Sequence, residues 1–236
     1  MASKPPTIIF VVGAWHTDFH LRLIKPDLEK YGYRVLPITL RTSIKSTPAP
    51  TLQDNAADIL QAMQREANAG NPFVLLGHSV AGLSTTLAAN EFLATATPQH
   101  KALFVHYVWI ACFLNGHRIA PYLTWASTTE DGAWIEVKDP HATFYNDMSI
   151  ADAQPYIDAL EANVAAWPPE YGDAYKSVQG TYLLCLNDRA IPPEEVQRLE
   201  AQENGMRIVE LKADHVPFVS HPEETAEALH NALKRG

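Results

Sequence analysis

The first residue in this chain that could do covalent chemistry is a serine lying between an apolar run and a helical one. It is Ser79, in Phe73-Val-Leu-Leu-Gly-His-Ser-Val-Ala-Gly82. On such a strand-to-helix turn the hydroxyl is thrust outward, and the residues two before and two after must be small to avoid collision. Gly77 and Ala81 occupy those positions, with Gly82 next. The same turn aims the Val80 N–H, at a helix start, toward a developing oxyanion. A serine hydroxyl is a weak nucleophile at neutral pH and needs a base. Two histidines are available in Lys212-Ala-Asp-His215-Val-Pro-Phe-Val-Ser-His221-Pro. His215 directly follows a strand-like run and is the preferred base; His221 abuts Pro222 at a helix start and is the alternative. Asp188, in Leu186-Asn187-Asp188-Arg189-Ala190-Ile191-Pro192, lies one strand earlier. It would orient the imidazole and stabilise its cation. Alone, Asn-Asp is ordinary turn chemistry. Asp214 is a weaker acid candidate because adjacent side chains seldom face each other, and Asn115-Gly116, after the fourth strand, carries no carboxylate.

A second oxyanion donor is expected from Val12-Gly13-Ala14-Trp15-His16, where Gly13 permits close backbone approach and the Ala14 N–H is the candidate. Losing one such donor typically costs ~2.7–4 kcal/mol of barrier. His16 and His20 are four residues apart, but Thr17 stands where a zincin helix needs glutamate, and no cysteine cluster offers further ligands. No metal and no cofactor is expected. His78, beside the nucleophile, is expected to pack beneath the turn.

These residues need elements to hold them. Ile8–Val12, Tyr33–Ile38, Phe73–Leu76, a strand within Ala102–Leu114, Gly180–Leu186 and Arg207–Leu211 read as strands. Helical spacing covers Asp18–Tyr31, Leu52–Ala69, Val80–Ala96, Pro193–Glu203 and Pro222–Lys234. Alternation of this kind implies βαβ units and a parallel sheet. The rhythm fails between Asn115 and Ser177, a stretch holding Trp125, Trp134, Trp167, Phe144 and Tyr122, Tyr145, Tyr156, Tyr171 and Tyr175. Short helices are expected there, with an extended piece at Trp134–Val137 and a helix over Ile150–Ala165 opened by Ser149 and Asp152. The expected organisation is a core of residues 1–114 and 178–236 interrupted by a cap insertion at 115–177.

Composition narrows the function classes. At 236 residues the chain suits a single α/β domain. Its 27 acidic against 18 basic residues, without a Lys/Arg cluster, make nucleic acid or an anionic membrane poor partners. No apolar segment approaches the ~20 residues that span a bilayer, and the start of the chain lacks the apolar region of a signal peptide. Cys112 and Cys185 each sit in an apolar run and read as buried thiols. A soluble cytoplasmic protein is expected, with a homodimer left open.

Taken together, Gly13-Ala14-Trp15-His16, Gly77-His-Ser-Val-Ala-Gly82, Asn187-Asp188-Arg-Ala-Ile-Pro192 with Glu195 and Gln197, and Asp214-His215 resemble the α/β-hydrolase superfamily. Within it the chain is similar to small esterases related to plant methylesterases and hydroxynitrile lyases. Phe144-Tyr-Asn-Asp147 and the His215–Pro222 run also resemble a group of microbial small-molecule hydrolases. The resemblance implies about six parallel strands flanked by helices, with a helical cap over the site. It implies an esterase, lactonase or thioesterase working through an acyl-enzyme on Ser79. Val12-Gly13 departs from the family's usual His-Gly or Pro-Gly, and Ala81 from its usual glycine. The lyases carry Lys after the catalytic histidine and Thr at position 13. This chain has Val216 and Gly13, which favours ester cleavage. A C–C lyase, a cyclase and a receptor-like binding protein are the alternatives. Gly13, Trp15, His16, Trp125, Phe144 and Tyr145 are the expected substrate-contacting residues, suited to a small apolar or aromatic ester or lactone.

Overall fold

Runs of β-branched and aromatic residues alternating with amphipathic segments are realised as a six-stranded parallel sheet flanked by helices. The computed structural model describes residues 5–114, 116–165 and 174–234. Trp167, Tyr171 and Asn115 of the expected insertion therefore lie outside the described residues. The strands of the main sheet are β1 (Thr7–Val11), β2 (Arg34–Ile38), β3 (Phe73–His78) and β4 (Phe104–Ile110), and later β8 (Gly180–Cys185) and β9 (Arg207–Leu211). Their order is β2-β1-β3-β4-β8-β9, every neighbouring pair parallel. β1 and β3 are buried along their whole length, as expected of near-continuous apolar strands covered on both faces.

The helices follow local chemistry. Helix α1 spans Ile24–Lys30, α2 Leu52–Asn68 and α3 Ala81–Thr95. Thr51 caps α2 by accepting from the Asp54 N–H, while the Asp54 carboxylate accepts from the Thr51 N–H. The helix expected over Asp18–Tyr31 is divided into a 3-10 turn at Asp18–Leu21 and then α1. Pro26 explains the division: lacking an N–H, it fits the first turn of a helix and not its interior. The segment expected as one helix over Pro193–Glu203 opens as a π-type turn at Pro193–Arg198, where the Gln197 N–H reaches five residues back to the Pro192 carbonyl. Short helices at Pro98–Lys101 and Pro217–Ser220 have no counterpart in the sequence expectation.

Between β4 and β8 lie short helices and more β structure than expected. β5 (Ala126–Thr128), β6 (Trp134–Val137) and β7 (Asn163–Val164) form an antiparallel sheet. The extended piece expected at Trp134–Val137 is its central strand. Ser149 does cap a helix, accepting from the Asp152 N–H, but that helix ends at Ile157. The residues expected to continue it instead turn back, and Asn163–Val164 pairs with Ile135 and Trp134. Cross-strand pairing thus overrides local helical preference there. Among the described residues no helix is long and apolar enough to cross a membrane.

Candidate active site

Parallel strands deliver their C-terminal ends to one edge of the sheet, and ligands collect there. Four loops meet at that edge: those following β1, β3, β8 and β9. The loop after β3 carries Ser79 at φ 55°, a left-handed conformation that costs an ordinary residue roughly 1–3 kcal/mol. Its surroundings enforce that turn. The Ser79 N–H donates to the Ile110 carbonyl at 3.0 Å, and the Ser79 carbonyl accepts from the Gly82 N–H at 3.1 Å. A methyl group on Gly77 would stand 2.8 Å from Thr85 Oγ1, so only glycine fits two residues before the serine.

His215 Nε2 lies 3.0 Å from Ser79 Oγ, and His215 Nδ1 lies 2.8 Å from Asp188 Oδ2. A carboxylate has no proton to give, so Nδ1 carries the hydrogen and Nε2 is free to accept from the serine. Asp188 is held on every side. Its Oδ1 accepts from the Ala190 and Ile191 N–H groups at 2.7 and 2.9 Å, and Gln197 Nε2 donates to Oδ2 at 2.8 Å. Gln197 is fully buried and completes its own bonding with the Ile191 carbonyl and the Cys185 N–H. The π-type turn places it there, a feature that local sequence preference does not reveal; its only sequence signal is its place in the family-like Asn187–Gln197 segment.

His78 lies beneath the turn, as its position implies, and it also joins loops. Its Nδ1 accepts from the Gly13 N–H at 3.2 Å, which leaves the hydrogen on Nε2 to donate to the His215 carbonyl at 2.9 Å. Burial, followed by the neighbouring His215, holds its pKa well below the ordinary histidine value, so it stays neutral. Gly13 sits hard against Ser79: a methyl there would be 2.7 Å from Ser79 Cβ and 2.9 Å from His78 Nδ1. Among the described residues nothing in the protein accepts a hydrogen bond from the Ala14 or Val80 N–H.

The remaining expected contacts divide into two groups. Trp15, Trp125 and Phe144 form an aromatic cluster with ring centroids 5.5–5.6 Å apart, and Phe144 stacks against the His215 ring at 5.4 Å. Trp125 Nε1 donates to the Ala190 carbonyl, in the loop that carries Asp188. Trp15 also lines a cleft of about 440 Å³ shared with Trp134, Ile135, Val137 and Leu160. His16 and Tyr145 are buried and spend their polar atoms on each other and on the backbone, with Tyr145 Oη 3.0 Å from His16 Nε2. His16 and His20 touch edge to face at 4.7 Å, but His20 Nε2 is committed to the Tyr156 carbonyl and His16 Nδ1 to the Ala14 carbonyl.

Asp214 does not face the imidazole. Its Oδ1 accepts from the Val216 N–H and Ser220 Oγ, and its Oδ2 from the Asp147 N–H at 3.2 Å. Burial pushes its pKa up to about 6 against the pull of those donors. His221 lies 3.3 Å from the Asp147 carboxylate, which also accepts from Asn187 Nδ2 at 2.9 Å. The two alternative triad members thus belong to a polar clasp between the 144–147 segment and the loops of Asp188 and His215.

Residues 8–228 match the model of the alpha/beta hydrolase family. An alpha/beta hydrolase of Aspergillus novofumigatus is 25% identical over 248 residues, covering 96% of each chain. A methylesterase from Arabidopsis has a similar solved structure, with a TM-score of 0.79 at 16% identity over 98% of this chain and 100% of that one. An extracellular α/β-hydrolase from a Paenibacillus species superposes with a TM-score of 0.75 at 19% identity, over 97% of this chain and 99% of that one.

Proposed function

The chain belongs to the alpha/beta hydrolase family, and from that premise we propose that it is a serine hydrolase cleaving a small carboxylic ester, lactone or thioester. The observation that carries this reading is the unbroken chain from Ser79 Oγ through His215 to Asp188, at 3.0 and 2.8 Å. Ser79 Oγ attacks the substrate carbonyl carbon while its proton passes to His215 Nε2. The Ala14 and Val80 N–H groups hold the oxyanion that forms. The tetrahedral species collapses by breaking the bond to the leaving oxygen or sulfur, which takes the proton from His215. Water, activated by the same nitrogen, then attacks the acyl carbon and releases the acid and Ser79. Asp188 keeps the imidazole in one tautomer and steadies its cation throughout.

The cluster of Trp15, Trp125 and Phe144 beside His215 favours an apolar or aromatic substrate. The similarity to a methylesterase supports a small ester, and residues 115–177 would act as a cap over the site. Cys112 and Cys185 are free and buried, which supports a reducing, cytoplasmic setting; the fold is neutral on compartment, since an extracellular hydrolase shares it.

Incubation with a fluorophosphonate and measurement of intact mass tests the reading. We expect wild type to gain one phosphonyl group, Ser79→Ala to gain none, and His215→Ala and Asp188→Asn to react far more slowly. A folded wild type that stays unlabelled would overturn it and turn attention to lyase, cyclase or ligand-binding roles.

A further inference from the structure

The loop after β1 is under strain. Trp15 sits at φ 63°, a conformation an L-residue adopts only when its surroundings insist. What insists is a set of bonds to three successive carbonyls of the loop. The Gly13 carbonyl accepts from the His16 N–H at 3.3 Å, the Ala14 carbonyl from His16 Nδ1 at 2.7 Å, and the Trp15 carbonyl from the Glu161 N–H at 2.8 Å. A trans peptide points its C=O and N–H in opposite directions. Fixing the Gly13 carbonyl on the His16 backbone N–H therefore fixes the direction of the Ala14 N–H, the amide assigned above to the oxyanion, and the His16 ring holds the next peptide of the same turn through the Ala14 carbonyl.

His16 is held in turn. With Nδ1 carrying the hydrogen that bonds the Ala14 carbonyl, Nε2 must be an acceptor, and the Tyr145 hydroxyl donates to it at 3.0 Å. Burial, followed by the neighbouring His20 and His78, holds the His16 pKa well below the ordinary value. Its ring is wedged between His78 and Phe144, at 5.5 and 5.3 Å. One further bond joins that of Glu161 in binding the loop to the 126–164 region: Trp15 Nε1 donates to the Ile135 carbonyl. Neither His16 nor Tyr145 has a free polar atom or appreciable exposure with which to contact substrate.

We infer that His16 and Tyr145 are positioning residues that aim the Ala14 N–H at the developing oxyanion, so that the insertion governs transition-state stabilisation as well as substrate access. The inference rests on the serine-hydrolase reading and deepens it. Its consequence is a particular pattern of substitutions. An asparagine amide nitrogen stands close to the place of histidine Nδ1, so His16→Asn keeps the donor to the Ala14 carbonyl. A glutamine amide stands near the place of Nε2, so His16→Gln fills the space better but abandons that carbonyl.

The test measures the rate of fluorophosphonate labelling, kcat and KM on a 4-nitrophenyl ester, and the Ki of a trifluoromethyl ketone, which adds to serine to form a stable oxyanion. We expect His16→Gln to lower kcat and labelling rate by about 10- to 100-fold, with the ketone weakened in proportion and KM little changed. His16→Asn should stay within about fivefold of wild type, and Tyr145→Phe should fall by about 3- to 10-fold. Tyr145→Phe deletes only a hydroxyl, so it serves if the His16 variants do not fold. Retention of wild-type kcat and ketone affinity by folded Tyr145→Phe or His16→Gln, with wild type labelled, would overturn the inference and leave the serine-hydrolase reading standing. Equal losses in Asn and Gln, accompanied by a raised KM, would overturn it in favour of simple packing. A wild type that is not labelled removes both.

Discussion

Substituting Gly13 by alanine tests the closeness of the two halves of the site. The added methyl would stand 2.7 Å from Ser79 Cβ, 2.9 Å from His78 Nδ1 and 3.0 Å from the His78 carbonyl oxygen. Carbon atoms at rest lie about 3.5–4.0 Å apart, so about 1 Å of movement is required. None of the three neighbours is a flexible end that can swing away. Ser79 is fixed in its left-handed turn by the Ile110 carbonyl, and the His78 ring is bonded through both nitrogens. The strain therefore goes into the Gly13–Ala14 peptide or the serine itself. A misplacement of about 1 Å costs roughly 10²-fold in rate, and loss of one oxyanion donor about 10²–10³-fold. We expect Gly13→Ala to lose about 10²–10³-fold in kcat and in labelling by a fluorophosphonate. Stability should fall by only about 1–3 kcal/mol, the usual cost of an overpacked methyl. Steady-state kinetics on a 4-nitrophenyl ester, read beside a thermal melt, separates the two effects. A folded Gly13→Ala with kcat within about threefold of wild type would refute the argument.

Two further outcomes follow from the surrounding polar groups. Burial lifts the Asp214 pKa from the ordinary 3.8 to about 6 in the folded protein, so between those limits the folded protein holds a proton that the unfolded chain has released. Stability from this group is therefore fully present below about pH 4 and declines as pH rises through 6, by about 3 kcal/mol. Urea unfolding should show wild type losing about that much relative to Asp214→Asn between pH 4 and 7; parallel profiles would contradict the assignment. Gln197→Glu replaces a buried donor to Asp188 with a second carboxyl group facing it. Activity should drop at least about tenfold with KM nearly unchanged, because a hydrogen bond to a charged group is worth about 1.5–3 kcal/mol. Wild-type turnover in that variant would remove Gln197 from the positioning scheme.

Ser79, His215 and Asp188, which the fold brings into one hydrogen-bonded chain, were legible in the sequence because each sits where a strand gives way to a loop, and strand ends are marked by short-range pattern. The strand runs were legible for the same reason: β1 and β3 are continuous apolar segments that no surface helix would show. What could not be read depends on partners distant in the chain. Tyr145 and His16 are 129 residues apart, and only folding makes one the other's donor. The 163–164 strand exists because Trp134 and Ile135 offer it a ladder, while the local pattern of Ile150 onward favours helix. Asp214 is the weaker acid candidate in the sequence because adjacent side chains seldom face each other, but its actual partners, the turn at Val216 that it caps and the Asp147 amide that it binds, appear only in the fold.

His78 has a consequence for synthesis on the ribosome. One of its nitrogens is satisfied by Gly13, made early, and the other by the carbonyl of His215, made almost last. Until β9 is in place, that second N–H has no partner, and burying an unpaired polar group costs about 1–3 kcal/mol. Closing the first half of the sheet over Ser79 before that point would carry this cost. The emerging chain also lacks both Asp188 and His215 until after the intervening 115–177 stretch is complete. A partly made molecule therefore carries Ser79 without His215 and Asp188, and the hydrogen-bonded chain of the three forms only once the last loops are in place.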